Sequence, residues 1–233
     1  TLFPYTTLFR SLHQRGPGRG GERGGIARRL HAEDHAEGVP PVGLVHEDAA
    51  VALEEEERRG LAEKAALTEG RVFIDVGLWG GAIPDNTTGN SRGLAEILAE
   101  GARGFKCFLV PSGVDEFPYV RESDVEEALA QLRGTGVRLM VHAELSEPID
   151  AVASDIAKRD PRAYATYLAS RPKSAEDLAV ELLYSLSKKS GVPIHVVHLS
   201  SANALETIAR ARDEGVDLTA ETAPHYLHFT AEN

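Results

Sequence analysis

Gly104-Phe105-Lys106-Cys107-Phe108, Leu139-Met140-Val141-His142-Ala143-Glu144 and Ile194-His195-Val196-Val197-His198-Leu199-Ser200-Ser201 decide the fold of this 233-residue chain. Each run is short, apolar and rich in Val, Ile, Leu or Phe, and a segment of helical character separates each from the next. That alternation marks parallel strands joined by helical crossovers. In such a sheet the carboxyl ends of the strands open onto one crevice or barrel mouth, where residues distant in sequence meet. Lys106, His142 and His198 are therefore candidates for one site.

Lys106 interrupts an apolar strand, where an ammonium group is costly to bury unless its charge is paired or lost. Two readings stand side by side. A neutral lysine can react with carbon dioxide to give a carbamate, a carboxylate-like group able to bridge two metals. Alternatively the side chain snorkels to the strand end and pairs with a carboxylate. Singly, each histidine is ambiguous too, since a lone strand-end imidazole is commonly a satisfied polar group. Two of them on successive strands, after a strand lysine, favour a metal. His195 stands three residues before His198, so alternation predicts it on the opposite strand face, packed against a helix or hydrogen bonded there. Cys107, beside Lys106, is by the same rule expected to point into the core.

Outward from these strands the alternation continues. Residues 71–77 read as a strand with a loop at 80–86, and 93–101 as a helix leading to the Lys106 strand. A helix over 123–133 opens on Ser123, with Glu126 completing a capping box. A helical insert carrying Tyr164 and Tyr167 follows Glu144. The next helix spans 174–190, with Ser174 and Asp177 as a capped start and Gly191-Val192-Pro193 as its stop. A helix over 202–214 and a strand over 216–222 complete the pattern, giving five strands in all.

Composition narrows the function classes. A net charge of −11 argues against nucleic acid as the partner of the whole protein. No run approaches the roughly 20 apolar residues that cross a bilayer, so no membrane partner is expected. Residues 1–11 lack a basic start, a long apolar centre and a small-residue cleavage site, and are not expected to be a signal peptide. The single cysteine excludes an intrachain disulfide and fits a reducing cytoplasm.

Four long runs carry a family resemblance: 104–118 (GFKCFLVPSGVDEFP), 75–81 (DVGLWGG), 164–172 (YATYLASRP) and 221–227 (ETAPHYL). They resemble allantoinase, within the cyclic amidohydrolases that include dihydroorotase and hydantoinase, and the likeness covers residues 60–233. It implies an α/β fold, a partial TIM-type (β/α)8 barrel of about strands three to seven. It implies that Lys106 is carbamylated and bridges two divalent metal ions, zinc foremost, and that His142 and His198 bind the metal facing the substrate. The implied reaction is hydrolytic opening of the hydantoin ring of allantoin, a small ureide, to allantoate. The implied full-length protein is a cytoplasmic homo-oligomer, a tetramer. Dihydroorotase or hydantoinase activity is the alternative, as is a barrel relative that has lost catalysis.

The family pattern also has parts that these residues do not show. A His-x-His pair is expected on the first barrel strand, but His31, His35 and His46 do not have that spacing, and the eighth-strand aspartate that acts as base would fall after Asn233. The 233 residues alone are thus expected to be inactive. Residues 1–11 resemble translated adapter sequence, and 12–59 are loaded with Arg, Gly, His and Glu with weak apolar periodicity. Residues 1–59 are expected to be a non-native or disordered leader before a partial amidohydrolase barrel at 60–233. Asn86, Ser112 and the backbone of Gly113 lie beyond strand ends as candidate substrate contacts. Related hydantoinases carry a tyrosine five residues after the lysine, where this chain has Pro111. His225 is expected to be structural or to support a ligand from behind.

Overall fold

Alternation along the strands sets the architecture of the computed structural model, which describes residues 54–87 and 93–229. The strands are β1 (Gly80–Gly81), β2 (Phe105–Phe108), β3 (Leu139–His142), β4 (Ile194–Val196) and β5 (Leu218–Ala220). They form one five-stranded sheet in chain order, and every neighbouring pair is parallel. An order that never doubles back is an arc of a (β/α) barrel, because a doubly wound sheet reverses its strand order.

One strand face is apolar. Phe105, Cys107, Leu139, Val141, Ile194, Val196 and Leu218 are buried in a single core cluster. Two helices supply most of the opposing surface, α4 (Glu122–Leu132) and α7 (Lys173–Ser190). Val125, Ala128, Leu129 and Leu132 of α4 fall on one helical stripe, as do Ala179, Val180, Leu183 and Leu186 of α7, and both stripes join this cluster. The remaining helices are α1 (Glu54–Thr68), α2 (Pro84–Thr87), α3 (Gly93–Ala99), α5 (Ser146–Ile156), α6 (Tyr164–Ala169) and α8 (Leu205–Asp213).

β1 differs from the sequence expectation. Residues 71–76 form no regular strand, and Val72, Phe73 and Ile74 are exposed. Pairing with β2 begins later, with Arg103 N–H donating to Leu78 O at 2.8 Å and Gly80 N–H to Gly104 O at 3.0 Å. The strand therefore falls in the segment read as its loop. Glycine makes that pairing possible: a Cβ on Gly104 would lie 2.3 Å from the Trp79 ring, and one on Gly80 2.8 Å from the Phe105 ring.

Helix starts were also misplaced. α4 begins at Glu122, and Asp124 rather than Glu126 accepts from the backbone, taking Arg121 N–H at 2.8 Å. α7 begins at Lys173 behind Pro172, and Asp177 bonds elsewhere. Its end is as expected, with Gly191 left-handed at φ 71° and its N–H on Ser187 O at 2.8 Å. The expectations for residues 1–53 lie outside the described residues. α1 runs across the 59/60 boundary, and its Leu61 is buried in the core cluster.

Candidate metal centre

Register distributes the polar residues over the inner face of the arc. Lys106 pairs with Met140, Met140 with His195 and His195 with Thr219, and one level further along Phe108 pairs with His142. Residues at one register level of a parallel sheet share a face, so all of these line the side opposite the core. Cys107 lies on the other face, in the core, as alternation predicts.

His195 corrects the sequence reading. It lies on the inner face with Lys106, where its Nδ1 is 2.8 Å from Thr219 Oγ1 and its Nε2 3.6 Å from Glu221. Alternation was counted from His198, but β4 ends at Val196 and His198 sits in the turn that follows. His198 has φ 43°, a left-handed conformation, and a period of two does not extend through it.

That turn returns His198 to the inner face. Its Nε2 lies 3.1 Å from His142 Nδ1, and the two rings meet edge to face with centroids 4.7 Å apart. Lys106, only 5% exposed, places its Nζ 4.4 Å from the Phe108 ring centroid, and Phe108 stacks on His142 at 5.2 Å. Burial, reinforced by the nearby positive fields of His142 and Lys106, pushes the His198 pKa down to about 3. His198 is neutral at ordinary pH and keeps a lone pair for a ligand. Burial drives the Cys107 thiol up to about 12, only partly offset by Lys106.

Glu144 completes the group. Its Oε2 lies 2.8 Å from His142 Nε2 and 3.6 Å from Arg171 Nη1. Burial raises this carboxyl, but the His142 hydrogen bond and charge, with Arg171, outweigh it and hold the pKa below its ordinary value. With Glu144 accepting from Nε2–H, His142 turns its Nδ1 toward His198.

These residues fit a metal. Two nitrogens on one tetrahedral zinc lie about 3.3 Å apart at usual Zn–N lengths, and the facing imidazoles stand at 3.1 Å. A carboxylate behind a ligating imidazole is the usual support for such a site. Among the described residues no three His, Cys, Asp or Glu gather as a ligand set.

The substrate candidates fare differently. Asn86 is 1% exposed and committed to its own loop, accepting Ile83 N–H at 3.0 Å and donating to Gly81 O at 2.9 Å. Its side-chain amide is engaged by the backbone of that loop. Ser112 Oγ donates within its turn, reaching Phe117 O at 2.7 Å, and accepts Val114 N–H at 3.1 Å. Gly113 is exposed and left-handed at φ 83°. Both stay at the carboxyl end of β2. His225 lies exposed in a 3-10 turn (Pro224–Leu227), its ring against Tyr226.

The chain is 44% identical over 172 residues to the allantoinase of Streptomyces avermitilis and 42% identical over 170 residues to the mitochondrial allantoinase of Aquarana catesbeiana. These matches cover 74% and 73% of this chain and 37% and 34% of the relatives. Among solved structures it is similar to the L-hydantoinase (dihydropyrimidinase) of Arthrobacter aurescens, with a TM-score of 0.70 and 28% identity over 75% of this chain and 38% of that one. The chain belongs to the cyclic amidohydrolase family. It spans about a third of the length of the curated relatives it matches, and no family model matches it. In this amidohydrolase chain the sequence reading missed Glu144 and Arg171. Both stand inside runs already singled out, Glu144 two residues past His142 and Arg171 before Pro172, yet neither spacing shows that the two side chains meet.

Proposed function

We propose that the protein carrying this chain opens the hydantoin ring of allantoin by metal-assisted hydrolysis. Water adds across the ring C–N bond; the carbonyl carbon gains the hydroxyl, the ring nitrogen gains the proton, and allantoate results. The observation that carries this reading is the 3.1 Å approach of His142 to His198 beyond the carboxyl ends of parallel strands, with Lys106 on the same face of the sheet. Identity of 44% to an allantoinase against 28% to a hydantoinase favours allantoin among the family's rings.

Carbamylated Lys106, His142 and His198 would hold two divalent ions, zinc foremost, which supply a lowered water pKa and a polarised carbonyl. His142 is oriented by Glu144, and Glu144 in turn by Arg171. His198 is kept neutral by its burial. Phe108 and Phe117, packed edge to face at 5.0 Å, wall the site with apolar surface. Ser112 shapes the loop after β2 and leaves the Gly113 backbone as the group able to meet a ureide.

A small ureide substrate, a homo-oligomeric assembly and a cytoplasmic setting complete the proposal. The lone buried thiol suits a reducing compartment, and among the described residues no helix is long and apolar enough to cross a membrane. The hydantoinase likeness of the fold supports hydantoin as the second reading. The test is a ring-opening assay on a protein in which these residues sit within a chain of the relatives' length, offered allantoin, hydantoin and dihydroorotate in parallel. Allantoate formation that Lys106→Ala abolishes supports the proposal. Preference for another ring, or activity indifferent to Lys106→Ala, overturns it.

A further inference from the structure

His198 is the one described residue other than glycine with a positive φ. L-residues leave that region unless the surroundings hold them there. On either side of His198 the sheet gives one bond each: Val197 N–H donates to Val141 O at 3.2 Å and Leu199 N–H to Glu221 O at 2.6 Å. The stronger hold comes from the first turn of α7. Glu176 accepts three hydrogen bonds, from Ser200 N–H at 2.9 Å, Ser200 Oγ–H at 2.7 Å and Ser201 N–H at 2.7 Å. Asp177 adds Ser201 Oγ–H at 2.6 Å and Asn203 Nδ2–H at 3.1 Å. Two carboxylates on a helix packed against the core thus grip the residues immediately after the turn.

We propose that Glu176 is a positioning residue, holding the 199–201 segment so that His198 keeps its left-handed turn and its imidazole faces His142. Its consequence for metal rests on the proposed function; the clamp itself does not. A plain helix tie is the competing explanation, and α7 contains one for comparison. Glu181 binds Arg210 and Thr207, joining α7 to α8 without touching the His198 segment.

The experiment compares Glu176→Ala, Glu176→Gln and Glu181→Ala in the intact protein. It reads amide hydrogen exchange at Ser200 and Ser201, the imidazole resonances of His198, and zinc affinity by chelator competition. Glu176→Ala should speed exchange at both amides on the order of tenfold or more, the effect of losing bonds to a charged acceptor, and shift the His198 resonances. It should weaken zinc about 10–100-fold, as lost support behind a metal ligand does. Glu176→Gln, retaining one acceptor oxygen, should fall between, and Glu181→Ala should match wild type in all three readouts. Wild-type exchange and resonances in Glu176→Ala, or equal losses in Glu181→Ala, overturn the proposal. If wild type takes up no zinc, the metal reading falls, while exchange and resonances still decide the clamp. Should Glu176→Ala fail to fold, Ser200→Ala removes one of the three donors and must shift the His198 resonances in the same direction; no shift overturns the clamp.

Discussion

Replacing Glu144 with alanine should cost the metal-free protein about 2 kcal/mol at neutral pH, and that difference should shrink as pH falls below the ordinary carboxylate range. Glu144, His142 and Arg171 have side chains 14%, 13% and 20% exposed, so water does little to replace a lost partner. The main loss is the 2.8 Å bond to His142 Nε2, and a hydrogen bond to a charged group contributes about 1.5–3 kcal/mol. The Arg171 contact, at 3.6 Å, lies beyond hydrogen-bond distance and adds less. The pH dependence follows from the lowered Glu144 pKa. A carboxylate favoured in the folded state binds protons more weakly there than in the unfolded chain. Its contribution is therefore full above the unfolded value, about 4.3, and is lost as pH falls through the folded value. Urea unfolding at pH 7, 5 and 3 measures this, provided the m-value stays unchanged between wild type and variant. A difference under about 0.5 kcal/mol at pH 7, the usual size for an uninvolved surface change, would refute the reasoning, as would one undiminished at pH 3.

The same Gly→Ala change should have opposite signs at two sites. Gly104→Ala, its Cβ driven into the Trp79 ring, should destabilise by about 1–3 kcal/mol. Gly60→Ala within α1, with open space around it, should stabilise by about 0.5–1 kcal/mol; thermal melts of the pair decide this. Cys107 should resist thiol reagents in the folded protein and react only on unfolding, because it is buried with a pKa near 12; rapid colour development with a disulfide reagent under native conditions contradicts that.

Most of the fold was legible because period-two burial and helical stripes survive in the sequence. Phe105, Cys107, Leu139, Val141, Ile194 and Val196 alternate with polar or larger inner-face residues, and that pattern alone places the core. β1 was not legible. Its residues are glycines, and the apolar stretch before it, Val72 to Ile74, mimics a strand while staying exposed. What selects Gly80 and Gly104 is the close approach of rings from other segments, which only three-dimensional packing reveals. The helix caps were misplaced because Ser123 and Ser174 match a capping pattern, whereas Arg121 and Pro172 occupy the cap positions. At the site Lys106 and His142 were readable as strand residues, while the left-handed turn of His198 and the contacts of Arg171 and Glu176 across elements leave no local signature.

His198 shows why the second imidazole comes from a turn and not from the strand itself. Position 196 faces the core, where Val196 is fully buried, and a histidine there would point away from His142. Position 195 faces the inner wall, but one level below His142, where it pairs in register with Met140 and bonds to Thr219. No position within β4 therefore brings a ring nitrogen to His142 Nδ1 while keeping the outer row apolar. Leaving the strand with a positive φ solves the problem, at the cost of a conformation that L-residues disfavour. Such a turn holds only if its exit is anchored, and the donors of Ser200 and Ser201 find their acceptors on α7. β4 with the turn that leaves it and the helix preceding it thus act as one unit: the helix both covers the core face and fixes the turn on the other side of the sheet.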